Sequence, residues 1–107
     1  MTDKELLEKA AKAADYGFTY KRKISNDAHE WTSPDGMLWQ WNPLIDDGQA
    51  LRLAVKLKLD IEIYSTSTHV YGDTSEKSFE EEHNGDPYAA TRRAIVRAAA
   101  EIGKGMV

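Results

Sequence analysis

The sequence contains no cysteine, which excludes disulfides, a thiol nucleophile and cysteine-ligated zinc or iron–sulfur centres, and leaves the chain indifferent to the redox compartment. It also has no run approaching the roughly 18 continuous apolar residues of a membrane span. Its first residues include the stretch Thr2-Asp3-Lys4-Glu5, in which three of four side chains are charged, whereas a secretion signal is basic and then apolar. We therefore expect a cytoplasmic protein with no membrane partner.

An excess of positive charge is absent as well. The 14 lysines and arginines are outnumbered by 18 aspartates and glutamates, which gives a formal net charge of −4. A dedicated duplex-DNA binder usually carries a basic face, so we expect no duplex nucleic acid as a partner, although a local basic patch can still bind a small anion. The 107 residues suffice for a modest two-layer core, and we predict a single domain over residues 1–107.

Catalytic and metal-binding motifs are also missing. His29, His69 and His83 are too far apart for standard metal-ligand pairs, and no H-E-x-x-H pattern occurs. Residues 65–68 lack the glycines of a nucleophile elbow, and no phosphate-binding glycine motif is present. The adjacent carboxylates at 80–82 fit a solvated edge better than general acid–base work, which requires burial. We predict no catalytic residue, no metal ligand and no cofactor.

Helices are predicted where a start signal precedes an apolar face. Thr2 and Glu5 have the spacing of a capping box ahead of a helix over about 3–15. Asp46 or Asp47 caps a second helix, which continues as a broad apolar arc.

A third helix is predicted from Pro87 to about Ile102, with Asp86 as its cap and Gly103 at its end. Its N-terminus carries the positive end of the helix dipole, and Arg92 falls at the border of its apolar face. Together these features suggest an anion site, for which Asp86 itself competes.

Alternation of apolar and polar residues predicts the strands. They cover about residues 18–24, 28–33, 37–41 and 59–64. A further hairpin is indicated over 69–71 and 78–80, turning at Gly72-Asp73. The resulting order, α-β-β-β-α-β-β-α, predicts an α+β layer sandwich in which an antiparallel sheet of about four to five strands packs with three helices.

Aromatic residues allow two interpretations. Trp39 and Trp41 are two apart on a predicted strand, so they project from the same side. Either they form core beneath a helix, or they join Tyr64 and Tyr71 to stack a base or fill a partner's pocket. In the second case Arg22, from a basic stretch of the preceding strand, would contact phosphate, although such residues also protect exposed strand edges.

Two stretches carry a family resemblance: W-N-P-L-x-D-D-G-x-A-L-R-L-A from Trp41, and A-A-T-R-R-A-I-V-R-A-A from Ala89. With the N-terminal amphipathic helix, they make the chain resemble small phage and prophage accessory proteins of the helix–sheet–helix sandwich type, including NinX-like proteins. The resemblance implies a mobile-element protein acting inside a bacterial cell, and it supplies no catalytic residues. The chain departs from this pattern in its polar 65–86 segment, a candidate for the region of its individual function.

These observations favour a non-enzymatic phage accessory protein, acting in counter-defence, that sequesters a small anionic, nucleotide-derived ligand. We expect it to act as a homo-oligomer whose interfaces complete the pocket. The candidate ligand-binding residues are Trp39, Trp41, Arg92, Tyr64, Tyr71 and Arg22. One alternative is an inhibitor or adaptor that binds a host protein through the acidic 73–86 segment. The other alternative is a small enzyme acting on a nucleotide or peptide.

Overall fold

The computed structural model describes residues 1–72 and 77–106. Its elements in chain order are α1 (Asp3–Ala13), β1 (Thr19–Lys23), β2 (His29–Thr32), β3 (Leu38–Gln40), α2 (Asp47–Lys56), β4 (Asp60–Ile63), β5 (Ser67–Tyr71), β6 (Ser78–Glu82) and α3 (Pro87–Lys104). The strands form two antiparallel sheets with the spatial orders β1-β2-β3 and β4-β5-β6. We refer to them as the N-terminal sheet and the C-terminal sheet.

The α+β class and the predicted alternation of helices with groups of strands are confirmed. The structure differs in having six strands, divided between two sheets, where about four to five strands in one sheet were expected. Each of the six strands overlaps a segment predicted from the alternation; β5 begins at Ser67, two residues before the predicted 69, because the Tyr64 amide donates to the Ser67 carbonyl at 2.8 Å and closes a tight turn after β4. The predicted pairing of 69–71 with 78–80 is confirmed, while Asp73, in its expected turn, lies outside the described residues.

The helix starts follow the predicted caps. Thr2 and Glu5 form a complete capping box at α1, while the side chains of Asp46 and Asp86 accept from backbone amides at the starts of α2 and α3. Each cap satisfies an amide that has no partner within its own helix. Within the described ranges, no helix combines the length and apolarity needed to cross a membrane.

The expectation that Gly103 ends the third helix is wrong. The helix continues to Lys104, and Gly105 is its C-cap. Gly103 is buried where α3 crosses α1, and a Cβ atom at this position would lie 1.9 Å from the carbonyl oxygen of Lys9. Its role is therefore to let two helices approach closely. In the sequence, a glycine with this role looks the same as a glycine that ends a helix.

A single cluster of buried apolar side chains joins all three helices to both sheets. Trp31 is only 1% exposed, and its indole N–H donates to the Trp41 carbonyl at 2.9 Å. On the C-terminal sheet, Val70 is fully buried, and Thr68 shares a hydrogen bond of 2.8 Å with Thr91 of α3. Helix α3 thus covers one side of that sheet, while the exposed residues on the other side leave it open.

Candidate functional site

The two neighbouring tryptophans do lie on one side of the N-terminal sheet. The Phe18 ring centroid is 6.5 Å from that of Trp39 and 5.7 Å from that of Trp41. Trp41 belongs to the core at 7% exposure, whereas Trp39 is 49% exposed. The core interpretation therefore describes Trp41, and only Trp39 presents a substantial surface to a ligand.

The two candidate arginines already have partners within the chain. The Arg92 side chain donates from Nε to the Leu44 carbonyl at 2.8 Å and from Nη1 to Asp47 at 2.7 Å. Arg22 pairs with Glu30 at 2.9 Å. An anion at Arg92 would lie close to the Asp47 carboxylate, whose negative charge would repel it.

Tyr64 and Tyr71 lie in negative surroundings on the C-terminal sheet. The charge of Glu62 raises the pKa of Tyr64, and hydrogen bonding to Glu62 raises the pKa of Tyr71. A negative charge nearby disfavours the phenolate. The same field would oppose a nucleotide phosphate, so these tyrosines suit a cationic ligand better than an anionic one.

Strand register brings carboxylates from two distant segments together on the open side of the C-terminal sheet. His69 on β5 lies opposite Glu62 on β4 and Glu80 on β6. Alternation of side chains places Asp60 and Glu82 on this same side. We call this surface the acidic face, and its members are Asp60, Glu62, His69, Tyr71, Glu80 and Glu82. Tyr64 borders it, with its ring centroid 5.1 Å from the His69 ring.

Glu81 belongs to the opposite side of β6. Its carboxylate pairs with Arg97 of α3, and the Arg97 guanidinium also lies 5.3 Å from the centre of the Phe79 ring. The run at 80–82 was interpreted from sequence as one acidic edge, but the two-residue period of a strand divides it. Glu80 and Glu82 face solvent, while Glu81 helps to attach the sheet to α3.

On the acidic face a histidine lies beside a hydroxyl group, but these groups are not arranged as they are in a hydrolytic triad. Nε2 of His69 lies 3.4 Å from the Ser67 hydroxyl and 3.6 Å from a Glu80 carboxylate oxygen. In a Ser-His-acid triad the carboxylate holds the other ring nitrogen, so that Nε2 is left to take the serine proton. Here both neighbours lie beside Nε2, so the geometry does not match such a triad.

Metal ligation finds no support in the parts of the chain that the structure describes. No group of three or more histidine, aspartate or glutamate side chains there is arranged to hold a metal ion. The carboxylates of the acidic face are spread along a sheet surface, whereas metal ligands converge on one point. Such a row of charges matches an extended basic surface.

No family model, curated protein or solved structure matches this chain. The resemblance to phage accessory proteins therefore stays a prediction.

Proposed function

We propose that this protein is a non-enzymatic binding protein whose acidic face captures a basic partner protein. The carrying observation is that Asp60, Glu62, Glu80 and Glu82 share one uncovered sheet surface. This proposal keeps the host-protein alternative but moves the contact from the 73–86 segment to the sheet. Glu80 and Glu82 belong to both the 73–86 segment and the acidic face. Residues 73–76 of that segment lie outside the residues that the structure describes.

Charge alone would give this face only weak affinity. An exposed ion pair contributes roughly 0.2–1 kcal/mol, so four such pairs reach at most about 4 kcal/mol, equivalent to a dissociation constant of about 1 mM. Carboxylates mainly steer the encounter and select against acidic partners. Tighter binding requires additional contact area, which Tyr64 and Tyr71 can begin to supply because tyrosine offers an apolar ring with a polar end.

The sequestration of a small anionic ligand has weaker geometric support. Its candidate residues are distributed over the N-terminal sheet, the start of α3 and the acidic face. Arg92 and Arg22 are engaged with carboxylates, and the tyrosines stand in a negative field. That hypothesis and the homo-oligomer expected with it stay predictions. The cellular setting, a phage accessory protein countering host defence in a bacterial cytoplasm, enters this proposal through the sequence resemblance alone.

Titration with octalysine, followed by amide chemical-shift changes because the affinity expected from charge alone is millimolar, tests the proposed function. Glu80→Gln combined with Glu82→Gln should weaken binding about tenfold, since two exposed ion pairs together contribute roughly 1.4 kcal/mol. The matched control combines Glu8→Gln with Asp27→Asn, which makes the same change in net charge at exposed positions elsewhere. The control should bind octalysine nearly as the natural protein does.

Equal losses in the two double variants would show that only net charge matters and would overturn the proposal. Absence of octalysine binding to the natural protein would do the same. A parallel titration with nucleoside monophosphates addresses the anionic-ligand hypothesis: binding that is lost in Arg92→Ala or Trp39→Ala, without octalysine binding, would replace the present proposal.

A further inference from the structure

Strand β4 forms one edge of the C-terminal sheet, and its open edge can be assigned residue by residue. The Tyr64 amide donates to Ser67, which makes this a hydrogen-bonded pair of the β4–β5 ladder. Hydrogen bonding alternates along an antiparallel pair. Glu62 therefore bonds towards β5, while Ile61 and Ile63 direct their N–H and C=O groups away from the sheet.

The other three sheet edges carry features that discourage pairing with another strand. The register of β1 shifts between Tyr20 and Arg22, as a bulge would cause. On β3, Gln40 uses its carbonyl to accept from the Gln49 side chain at 3.3 Å. On β6, the Glu80 carbonyl accepts from Arg97 at 3.1 Å.

Strand β4 has none of these protections among the described residues. Its register against β5 is continuous from Asp60 to Ile63. No backbone group of the described chain bonds to Ile61 or Ile63 from the open side. Among the four sheet edges of the described chain, β4 is thus the one that none of these features protects.

An apolar groove runs along this open edge, on the side of the sheet opposite the acidic face. It has a volume of about 520 Å³, and its lining includes Leu51 of α2, Ile61 and Ile63 of β4, and Tyr88 and Ile95 of α3. Three of these side chains are largely exposed: Leu51 at 59%, Ile63 at 65% and Tyr88 at 70%. Exposed apolar residues concentrated along one groove are typical of a binding surface.

Strand β4 therefore separates two surfaces of opposite character. Asp60 and Glu62 lie on the acidic side, and Ile61 and Ile63 lie on the groove side. A strand added beside β4 would present alternate side chains to these two surfaces. Basic side chains would meet the acidic face while apolar side chains entered the groove.

We propose that β4 accepts, as an added strand of the C-terminal sheet, an extended segment of a partner protein in which basic and apolar residues alternate. Main-chain hydrogen bonds to Ile61 and Ile63 supply affinity, and the two surfaces select the sequence of the segment. The inference rests on the proposed function, because the acidic face would bind the basic residues of the same partner.

Charge favours such a segment over a second copy of this chain. Antiparallel pairing of two β4 strands about a two-fold axis would continue both acidic faces on the same side. Asp60 and Glu62 would then lie beside the same carboxylates of the other copy, and like charges across a strand pair are destabilising. A basic segment replaces this repulsion with attraction.

The test uses an eight-residue peptide, blocked at both ends, in which lysine and valine alternate. A control peptide has the same composition, with its lysines and valines in two separate blocks. The protein variant Ile63→Pro removes one outward N–H group and leaves the bonds to β5 intact, because proline is tolerated where the N–H faces solvent. Leu38→Pro is the matched control, since the Trp41 amide bonds to His29 and alternation makes Leu38 of β3 equally outward-facing.

The alternating peptide should bind at least tenfold more tightly than the block peptide, as measured by calorimetry. Ile63→Pro should lose at least tenfold in affinity, while Leu38→Pro should bind as the natural protein does. A second pair of variants serves if proline disturbs folding: Leu51→Lys places a cation in the groove, whereas Val55→Lys lies on the same helix outside the groove lining. Only Leu51→Lys should weaken binding.

The outcomes separate this inference from the proposed function. If the Glu80→Gln and Glu82→Gln pair weakens peptide binding but Ile63→Pro and Leu51→Lys do not, the acidic face binds without strand addition, and the inference is overturned. If neither set matters, both proposals fail. Sedimentation of the protein alone gives a further check: a dimer abolished by Ile63→Pro would assign the open edge to a second copy and overturn the inference.

Discussion

Gly103 is the residue on which the crossing of α1 and α3 most directly depends. Gly103→Ala should reduce the free energy of unfolding by about 3 kcal/mol, the upper part of the usual range for overpacked sites. The cause is the 1.9 Å approach of the new Cβ atom to the Lys9 carbonyl oxygen, which only a shift of one helix can relieve. Urea unfolding followed by circular dichroism measures the change.

Gly105→Ala is the control for this prediction. A Cβ atom at Gly105 meets only the Ile102 carbonyl oxygen, at an ordinary 3.6 Å, so this variant should be close to the natural protein in stability. Similar losses in the two variants would mean that the helix crossing does not depend on the missing Cβ atom of Gly103.

Protonation of the His29 imidazole should make the free energy of unfolding depend on pH. Burial lowers the pKa of its imidazole, the charge of Lys23 lowers it further, and Asp3 acts in the opposite direction. Above the ordinary histidine pKa of about 6.5, the imidazole is neutral in both the folded and the unfolded protein. Below that pH the unfolded chain takes up a proton that the folded protein resists, so the free energy of unfolding should fall as the pH decreases.

Replacing the imidazole checks this pH dependence. His29→Gln should have a flatter dependence of the unfolding free energy between about pH 7 and pH 5.5, because its side chain takes up no proton in either state. Parallel urea titrations at several pH values provide the comparison. An unchanged slope in His29→Gln would assign the pH dependence to other groups.

Arg92 acts between elements by tying the start of α2 to α3. Arg92→Ala should cost about 1–3 kcal/mol, because it leaves the Leu44 carbonyl without its 2.8 Å donor. Asp47→Asn should cost no more than about 1 kcal/mol, because Asp47 is exposed and surface ion pairs contribute little. Urea unfolding of both variants measures this difference, and a larger loss for Asp47→Asn would contradict the assigned roles.

The elements differ in how far sequence alone predicts them. Helix starts were predictable because Thr2, Asp46 and Asp86 each act on amides within a few residues of themselves. Gly103 was misread because its role depends on Lys9, which lies far away in sequence. Sequence patterns therefore predict contacts between residues that are close in sequence better than contacts between distant residues.

The acidic face shows the same limit for the candidate site. Its carboxylates come from β4 and β6, and only the register with β5 between them brings the two segments together. The alternation of Asp60 with Glu62 and of Glu80 with Glu82 was visible in the sequence. The sequence does not show which sides of the two strands share one surface, because that depends on strand pairing.

At the scale of the whole molecule, a formal net charge of −4 conceals an uneven distribution. The C-terminal sheet exposes the acidic face, while β1 of the N-terminal sheet carries Lys21, Arg22 and Lys23. A basic partner approaching in solution would be steered towards the C-terminal sheet, and steering weakens as salt screens the charges. The opposite charges of the two sheets would therefore orient a basic partner as it approaches.

The most direct test of the central claim is a map of amide chemical-shift changes when octalysine is added to isotope-labelled protein. We predict changes concentrated in β4, β5 and β6, reduced by raised salt and by the Glu80→Gln and Glu82→Gln pair. Changes centred on Trp39 or on the start of α3, or spread evenly over the surface, would contradict a binding role for the acidic face.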